Sequence, residues 1–353
     1  MKLTVQRKHL VELLTKCSGV TKQKSPHASL QCVRLKASML LEADATDLYH
    51  YISTRTAAQV DAPGETLVNC RDLLERVKTL AEGPVLLALD GEKLRITAGK
   101  RKHMLTTLNA SEFPGTPPTL PEQWLELTAG AFVGLLERVV HAVATESERP
   151  SINAVFLELG NGKLSATTTD GRRLAYDLID AGSGHDKWLL PLAAAQAMLS
   201  AIGQGSTMIG IAGDQLQVKS GDVLFASKLT ADVFPPIRDQ MMSIQRAELR
   251  APRKELLDAV SAVAMASDGI VRFAITNGQM KLRAEGHGES EDELDIVYDG
   301  RDVEVCMMAG YVREALSSLA TDAVVMSITG DLDPVFLAEP ESMGFRLVMP
   351  CRP

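Results

Sequence analysis

Two stretches carry the side chains best suited to binding chemistry. The first, Ala166-Thr167-Thr168-Thr169-Asp170-Gly171-Arg172-Arg173-Leu174-Ala175-Tyr176, groups hydroxyls, a carboxylate and two guanidinium groups around a glycine. The second, Phe345-Arg346-Leu347-Val348-Met349-Pro350-Cys351-Arg352, mixes aliphatic and thioether side chains with arginines. Guanidinium groups make charge-assisted hydrogen bonds to carboxylates and backbone carbonyls. Aliphatic walls bind large apolar side chains, each contributing about 1.5–3 kcal/mol when fully buried. Asp170-Gly171 is also a hairpin signal, because both residues tolerate positive φ. Taken alone, the first stretch reads as part of an ordinary β-meander.

A search for catalytic groups returns little. The sequence has no GxxxxGK followed by Ser or Thr, no GxGxxG after a strand and no HExxH. No nucleophile-elbow signature supports a Ser-His-Asp site. His9, His27, His50, His103, His141, His185 and His287 are dispersed, none spaced for metal alongside a carboxylate or thiol. Asp44/Asp47 and Asp331/Asp333 are the carboxylate pairs closest to a hard-metal arrangement. Both pairs read as turn residues, where solvated Asp is common. No metal, cofactor or catalytic residue is expected.

The elements that must position these groups recur along the chain. Val155-Phe156-Leu157-Glu158-Leu159, Lys163 to Thr168 and Arg173 to Ile179 read as three strands around turns at Gly160-Asn161-Gly162 and Asp170-Gly171. Helical periodicity appears over His9–Gly19, Ala131–Ala144 and Lys254–Ala264, with Leu-Leu pairs at 13, 135 and 256, separated by 122 and 121 residues. Second helices are expected over Arg71–Glu82, Leu192–Ile202 and Tyr311–Ala320. Ala45-Thr46-Asp47 matches Thr168-Thr169-Asp170, and Phe113-Pro114 matches Phe234-Pro235. Prolines 114–121 and 235–236 punctuate the copies. Three α+β domains follow, at 1–120, 121–243 and 244–353, each a pair of amphipathic helices covering a sheet. In the third copy the acidic stretch Gly286–Glu293 reads as a solvated loop.

Composition sets the bounds. The 353 residues suffice for two or three domains, and 45% hydrophobic with 23% charged content is that of a globular protein. Five scattered cysteines, Cys17, Cys32, Cys70, Cys306 and Cys351, argue for reduced thiols and the cytoplasm. Charges near the start (Lys2, Arg7, Lys8) argue against a signal peptide, and no apolar run suits a membrane span. The net charge of −8 is unevenly spread: +4 over 1–122, −4 over 123–245 and −8 over 246–353. Such asymmetry suits an anion-facing first third or a head-to-tail meeting of unlike ends.

An internal Thr-Asp-Gly-x-Arg-Leu, a terminal Val-Met-Pro-x-Arg and the threefold repeat together resemble the bacterial sliding clamp, the β subunit of DNA polymerase III, over essentially the whole chain. The resemblance implies a non-catalytic processivity factor built of three repeated DNA-clamp domains. It implies a head-to-tail homodimer closed into a ring, with helices lining the hole and sheets outside. The implied partners are double-stranded DNA, the DNA polymerase III alpha subunit, the clamp loader and other proteins bearing the clamp-binding motif, and no membrane. It also implies that the two stretches form opposite walls of one partner-peptide cleft. That cleft comprises Ile152, Thr169, Gly171, Arg172, Arg173, Leu174, Pro235, Leu347, Val348, Met349, Pro350, Cys351 and Arg352. Arg173 and Arg352 would supply hydrogen bonds, and Gly171 close backbone approach.

DNA contact in such a protein is electrostatic and indifferent to sequence. The candidates are Lys22 and Lys24 in a polar loop, Arg71, Arg76 and Lys78 on a helix, Lys100, Arg101 and Lys102 at a hairpin tip, Arg138, and Lys254. For each of them ordinary surface charge is the competing reading. Aromatic content of 4% disfavours base-stacking platforms. Asp239 and Gln240 stand where many relatives carry a basic and then an aliphatic residue. Leu192 stands where a basic residue is frequent, and Pro353 where a small aliphatic one is usual. These departures bear on peptide selectivity. The alternatives are a secondary clamp copy with altered partners, or a hydrolase or nuclease of repeated α+β units.

Overall fold

The computed structural model describes residues 1–22, 24–203, 205–238 and 247–352. Asp239, Gln240 and Pro353, three of the departures noted above, lie outside the described residues. Two compact units make up the fold: 1–133 with 193–229, and 134–192 with 230–353.

In the first unit, thirteen strands form one continuous sheet. Its order runs Leu125–Leu127, Thr207–Ala212, Gln215–Ser220, Val223–Lys228, His50–Thr56, Leu41–Thr46, Cys32–Ala37, Gly64–Asn69, Arg101–Leu108, Lys93–Ala98, Pro84–Asp90, Lys2–Gln6, Gln59–Ala62. Every pairing is antiparallel. The strand Val223–Lys228, from the second repeat, pairs with His50–Thr56 from the first, so the sheet runs through a repeat boundary. Helices Arg7–Ser18 and Cys70–Lys78 bury Leu10, Leu13, Leu14 and Cys17, and Cys70, Leu73, Leu74 and Val77, in this unit, and Leu192–Ala201 buries Ala194, Ala195, Ala197, Met198 and Ala201.

The second helix shows why its ends fall where they do. Asn69 caps it by accepting the Asp72 N–H at 3.0 Å, and Asp72 complements the positive end of the helix dipole. Arg76 and Lys78 complement the negative end. The helix stops at Lys78, short of the expected Glu82, because Thr79 turns back to Arg76 O through both its N–H (3.1 Å) and its hydroxyl (2.8 Å). Gly83 follows at φ +125°.

In the second unit an eight-stranded sheet runs Asp186–Pro191, Ala154–Gly160, Lys163–Thr169, Arg173–Asp180, Phe345–Val348, Val335–Ala338, Ala323–Ile328, Ala247–Pro252. A four-stranded sheet of Glu289–Asp295, Gln279–Glu285, Ile270–Thr276 and Val303–Met308 completes it. Helices Arg253–Val263 and Ala309–Ser317 bury Leu256, Val260, Val263, Val312 and Leu316 against Val271, Phe273, Leu282 and Met326. The helix expected over Ala131–Ala144 is α-helical only to Val139, and its last turn tightens to a 3₁₀ turn at Val140–Ala142.

Two expectations are corrected. The acidic stretch read as a loop forms the edge strand Glu289–Asp295. Its charges are met across the strand pair by Arg283 on Glu291 (2.8 Å) and Lys281 on Glu293 (3.4 Å), so acidity does not prevent pairing. Asp44 is not a solvated turn residue. It is buried in the strand Leu41–Thr46, directly opposite Arg34, which holds its carboxylate at 2.6 and 3.0 Å. Asp331 and Asp333 are exposed in a turn, and among the described residues no three His, Cys, Asp or Glu side chains gather as a metal site. The five cysteines are free thiols.

Candidate partner cleft and basic faces

The organising hairpin is built by its own side chains. Thr169 Oγ1 donates to Arg173 O at 2.6 Å and accepts the Gly171 N–H at 3.0 Å. Asp170 Oδ1 accepts the N–H groups of Arg172 (2.9 Å) and Arg173 (3.0 Å). Gly171 sits at φ +89° with open space where a Cβ would be, so backbone conformation, not crowding, calls for glycine.

Arg173 is largely committed within this wall. Its Nε donates to Asp170 Oδ2 at 2.9 Å, its Nη1 to Glu314 Oε2 at 2.5 Å, and its guanidinium lies 4.5 Å from the Tyr311 ring centroid. It ties the hairpin to the helix Ala309–Ser317. Arg172 and Arg352 are exposed.

The two motif stretches do not face each other as opposite walls. They are adjacent antiparallel strands, with Arg173 opposite Val348, Leu174 opposite Leu347 and Tyr176 opposite Phe345. Met349 N–H extends the ladder to Arg172 O at 2.9 Å, and Cys351 N–H donates to Cys306 O at 2.8 Å. Sheet closure between the second and third repeats brings them together, and residue spacing carries no trace of it. The result is an apolar floor of Leu174, Leu347, Phe336 and Phe345, flanked by half-buried Tyr176, Ile237 and Met349. Ile152 belongs to a separate cluster with Leu189 and Phe234, whose ring stacks on Phe156 at 5.0 Å. Pro235 follows Phe234 and is half-buried; its carbonyl accepts the Ile237 N–H at 2.8 Å.

Sequence reasoning missed the charges that brace this floor. Arg346 is 1% exposed and donates to Ser318 Oγ (2.8 Å), Tyr176 O (3.0 Å) and Asp177 Oδ2 (3.0 Å). An arginine between Phe345 and Leu347 was the available signal. Asp177 also receives Arg138 Nε at 2.8 Å. His141 lies within this field: burial first, then the charges of Arg346 and Arg173, push its pKa down to about 3. Beside the floor, a cavity of about 670 Å³ is lined in part by Glu158, Tyr176, Lys187, Arg238 and Met343. Burial alone would raise the Glu158 carboxyl, but Lys187 and Arg238 hold it below the usual range.

The basic candidates sort by what they already bind. Lys22, Lys24, Lys100, Lys102 and Lys254 are exposed. Lys22 Nζ lies 5.5 Å from the Tyr49 ring centroid. Arg71 pairs with Glu75 at 2.9 Å, and Arg76 donates to Asp72 O at 3.0 Å, while Lys78 is exposed at the C-terminal turn of the same helix. Arg101 donates to Thr79 O, which joins the hairpin cations to that helix end. Arg138 differs from Arg71 and Arg76, whose carboxylate partners lie one turn away on the same helix, because its partner Asp177 sits on a sheet strand and is mostly buried.

A repeated α+β chain with continuous antiparallel sheets across its repeat boundaries, and an apolar cluster with exposed arginines nearby at one of them, defines a clamp-type fold. Family models for the N-terminal, central and C-terminal domains of the DNA polymerase III beta subunit match residues 1–118, 126–236 and 233–352. The beta sliding clamp of Escherichia coli K12 is 27% identical over 365 residues, covering 100% of both chains, and that of Proteus mirabilis 27% over 369 residues, also covering 100% of both. The Pseudomonas aeruginosa sliding clamp structure superposes with TM-score 0.90 at 25% identity over 100% of both chains. That of the Thermotoga maritima beta subunit gives 0.91 at 22% identity over 100% and 99%, a likeness of fold. The chain belongs to the DNA polymerase III beta subunit family, the bacterial sliding clamps. It is a processivity factor and not an enzyme. No helix among the described residues is long and apolar enough to cross a membrane.

Proposed function

We propose that this chain encircles duplex DNA as a head-to-tail homodimer and tethers the replicative polymerase and other DNA-processing proteins, acting in the cytoplasm. Three clamp domains of one kind in succession, at 1–120, 121–243 and 244–353, carry this reading, because two such chains supply the six units of a closed ring. The contact is heterologous yet closes, which leaves no free sheet edge. Opposite charges on the first and last thirds favour it.

Partner peptides dock on the floor of Leu174, Leu347 and Met349, with Ile152 and Pro235 extending it. Arg172 and Arg352 are the donors toward the peptide, and Arg173 is a positioning residue that fixes the Thr169–Arg173 turn. Gly171 lets the peptide backbone approach, and Val348, Pro350 and Cys351 shape the rim. Lys22, Lys24, Arg71, Arg76, Lys78, Lys100, Arg101, Lys102 and Lys254 meet phosphates without reading bases. Arg138 serves the cleft's framework more than DNA.

The test is topological. Loaded by a clamp loader onto nicked circular DNA, the protein should co-elute with the circle and be lost when the circle is cut. Equal retention on linear and circular DNA would overturn the reading.

A further inference from the structure

The hairpin of the second repeat has a twin in the first. Thr46-Asp47-Leu48-Tyr49-His50 reproduces the bonding of Thr169-Asp170-Gly171-Arg172-Arg173 position by position. Thr46 Oγ1 donates to His50 O (2.7 Å) and accepts the Leu48 N–H (3.0 Å). Asp47 Oδ1 accepts the N–H groups of Tyr49 (3.0 Å) and His50 (2.7 Å). The His50 ring meets the Asp47 carboxylate at 3.1 Å, where Arg173 meets Asp170. Lys228 N–H donates to Tyr49 O at 3.0 Å, as Met349 N–H does to Arg172 O at 2.9 Å. Even the backbone agrees, with Leu48 at φ +78° and Gly171 at +89°. A leucine is strained there, and such strain persists where the surroundings over-determine the conformation.

The side chains that face outward differ. Leu48 is 53% and Tyr49 60% exposed. The ammonium groups of Lys22 and Lys228 lie 5.5 and 6.0 Å from the Tyr49 ring centroid. A cavity of about 630 Å³ opens beside them, between the hairpin, the proline-rich segment 114–119 and the turn 212–215. That volume is within the range of ligand-binding clefts. Asp214 is the exposed opposing charge, whereas the Asp47 carboxylate is occupied by His50 and the turn.

We propose that this cavity is a second docking cleft, which takes a short acidic linear peptide. A large apolar side chain of the peptide packs on Leu48 and the prolines at 114, 117 and 118, and its carboxylates meet Lys22 and Lys228 beside Tyr49. The analogy with peptide docking rests on the function proposed for the central cleft; the geometry of the cavity does not. Single-stranded nucleic acid is the less favoured occupant, since both ammonium groups already lie over the ring on which a base would stack.

The test uses the full-length protein and three benzophenone-bearing, fluorescein-labelled peptides: acidic Asp-Glu-Leu-Asp-Phe, its neutral counterpart Asn-Gln-Leu-Asn-Phe, and Gln-Ala-Ser-Leu-Ala-Phe, of the pattern Gln-x-x-Leu-x-Phe, to report the central cleft. The acidic peptide should cross-link to 46–51 or 114–119 and bind at least tenfold tighter than the neutral one. Lys228→Glu and Tyr49→Ala should each weaken it at least tenfold, while deletion of Met349–Arg352 should leave it unchanged and remove Gln-Ala-Ser-Leu-Ala-Phe binding. Either cleft can therefore fail without the other. Cross-links confined to 169–174 and 347–352 would overturn the proposal, as would unchanged affinity in both variants. So would an oligo(dT) probe that loses affinity in both variants while the acidic peptide does not.

Discussion

Replacing Arg346 with methionine tests the brace beside the apolar cluster of Leu174, Phe336, Phe345 and Leu347. Methionine keeps much of the volume in this fully buried position but removes the donors to Ser318 Oγ, Tyr176 O and Asp177 Oδ2. A neutral hydrogen bond contributes about 1 kcal/mol net and one between charged groups about 1.5–3 kcal/mol. Two effects reduce the loss: Asp177 keeps Arg138 at 2.8 Å, and the desolvation cost of burying a guanidinium disappears. The net expectation is a loss of about 3 kcal/mol. Trp124 lies in the first unit and Trp188 in the second, so urea unfolding of a Trp124→Phe background, followed by Trp188 fluorescence, reads the relevant unit. Adding Arg138→Ala leaves the Asp177 carboxylate without either cation, so the double variant should lose about 1 kcal/mol more than the two single losses combined. A loss below about 1 kcal/mol for Arg346→Met, or strict additivity, would show that the network is ornamental to stability.

Further outcomes are expected. His141 stays neutral in the fold down to about pH 3, whereas an unfolded histidine takes a proton near 6.5. The unfolded chain therefore binds more protons between these values, and stability falls as pH drops through 6.5. This group alone should cost about 2 kcal/mol between pH 7 and pH 5, and urea midpoints of His141→Gln should show a flatter pH profile, an unchanged profile speaking against the assignment. Deleting Met349–Arg352 should abolish binding of a Gln-x-x-Leu-x-Phe peptide in calorimetry while sedimentation still reports a dimer. In the same calorimetry Arg173→Ala should cost about 1–3 kcal/mol of peptide binding through loss of the turn's brace. Neutralising Lys24, Arg71 and Lys78 should weaken DNA binding uniformly across sequences and reduce the salt slope by about 0.9 for each phosphate no longer neutralised, with peptide affinity unaltered.

Periodic features were the legible ones. The Leu-Leu pairs gave the helix register of each repeat, because a buried stripe must recur with the helix period. Asp170-Gly171 marked its hairpin, because the turn chemistry is local. Legibility ended where a partner lies far along the chain. Asp44 looked like a turn residue, since nothing near it in sequence announces Arg34 on the neighbouring strand. Arg138 looked like a phosphate ligand, since Asp177 is 39 residues away. The acidic strand Glu289–Asp295 looked like a loop, since its stabilising cations sit on the strand before it. The two motif stretches were visible, but their side-by-side strand arrangement was not, because period and propensity say nothing about which strand ends beside which.

The pairing of Phe345–Val348 with Arg173–Asp180 also sets a timetable. A chain is made from its N-terminus at about 5–20 residues per second. The strand that covers Arg173–Asp180 begins 165 residues after that strand ends, an interval of about 8–33 s at those rates. Until then the growing polypeptide presents one flank of that strand unpaired, with Leu174 and Tyr176 beside it, and an uncovered flank of this kind recruits other chains. His50–Thr56 waits similarly for Val223–Lys228. During synthesis on a polysome, neighbouring nascent copies carry the same waiting flanks at high local concentration. Each copy's own late strand then competes with its neighbours for one vacancy, and the speed of translation through the intervening residues helps decide which of them fills it.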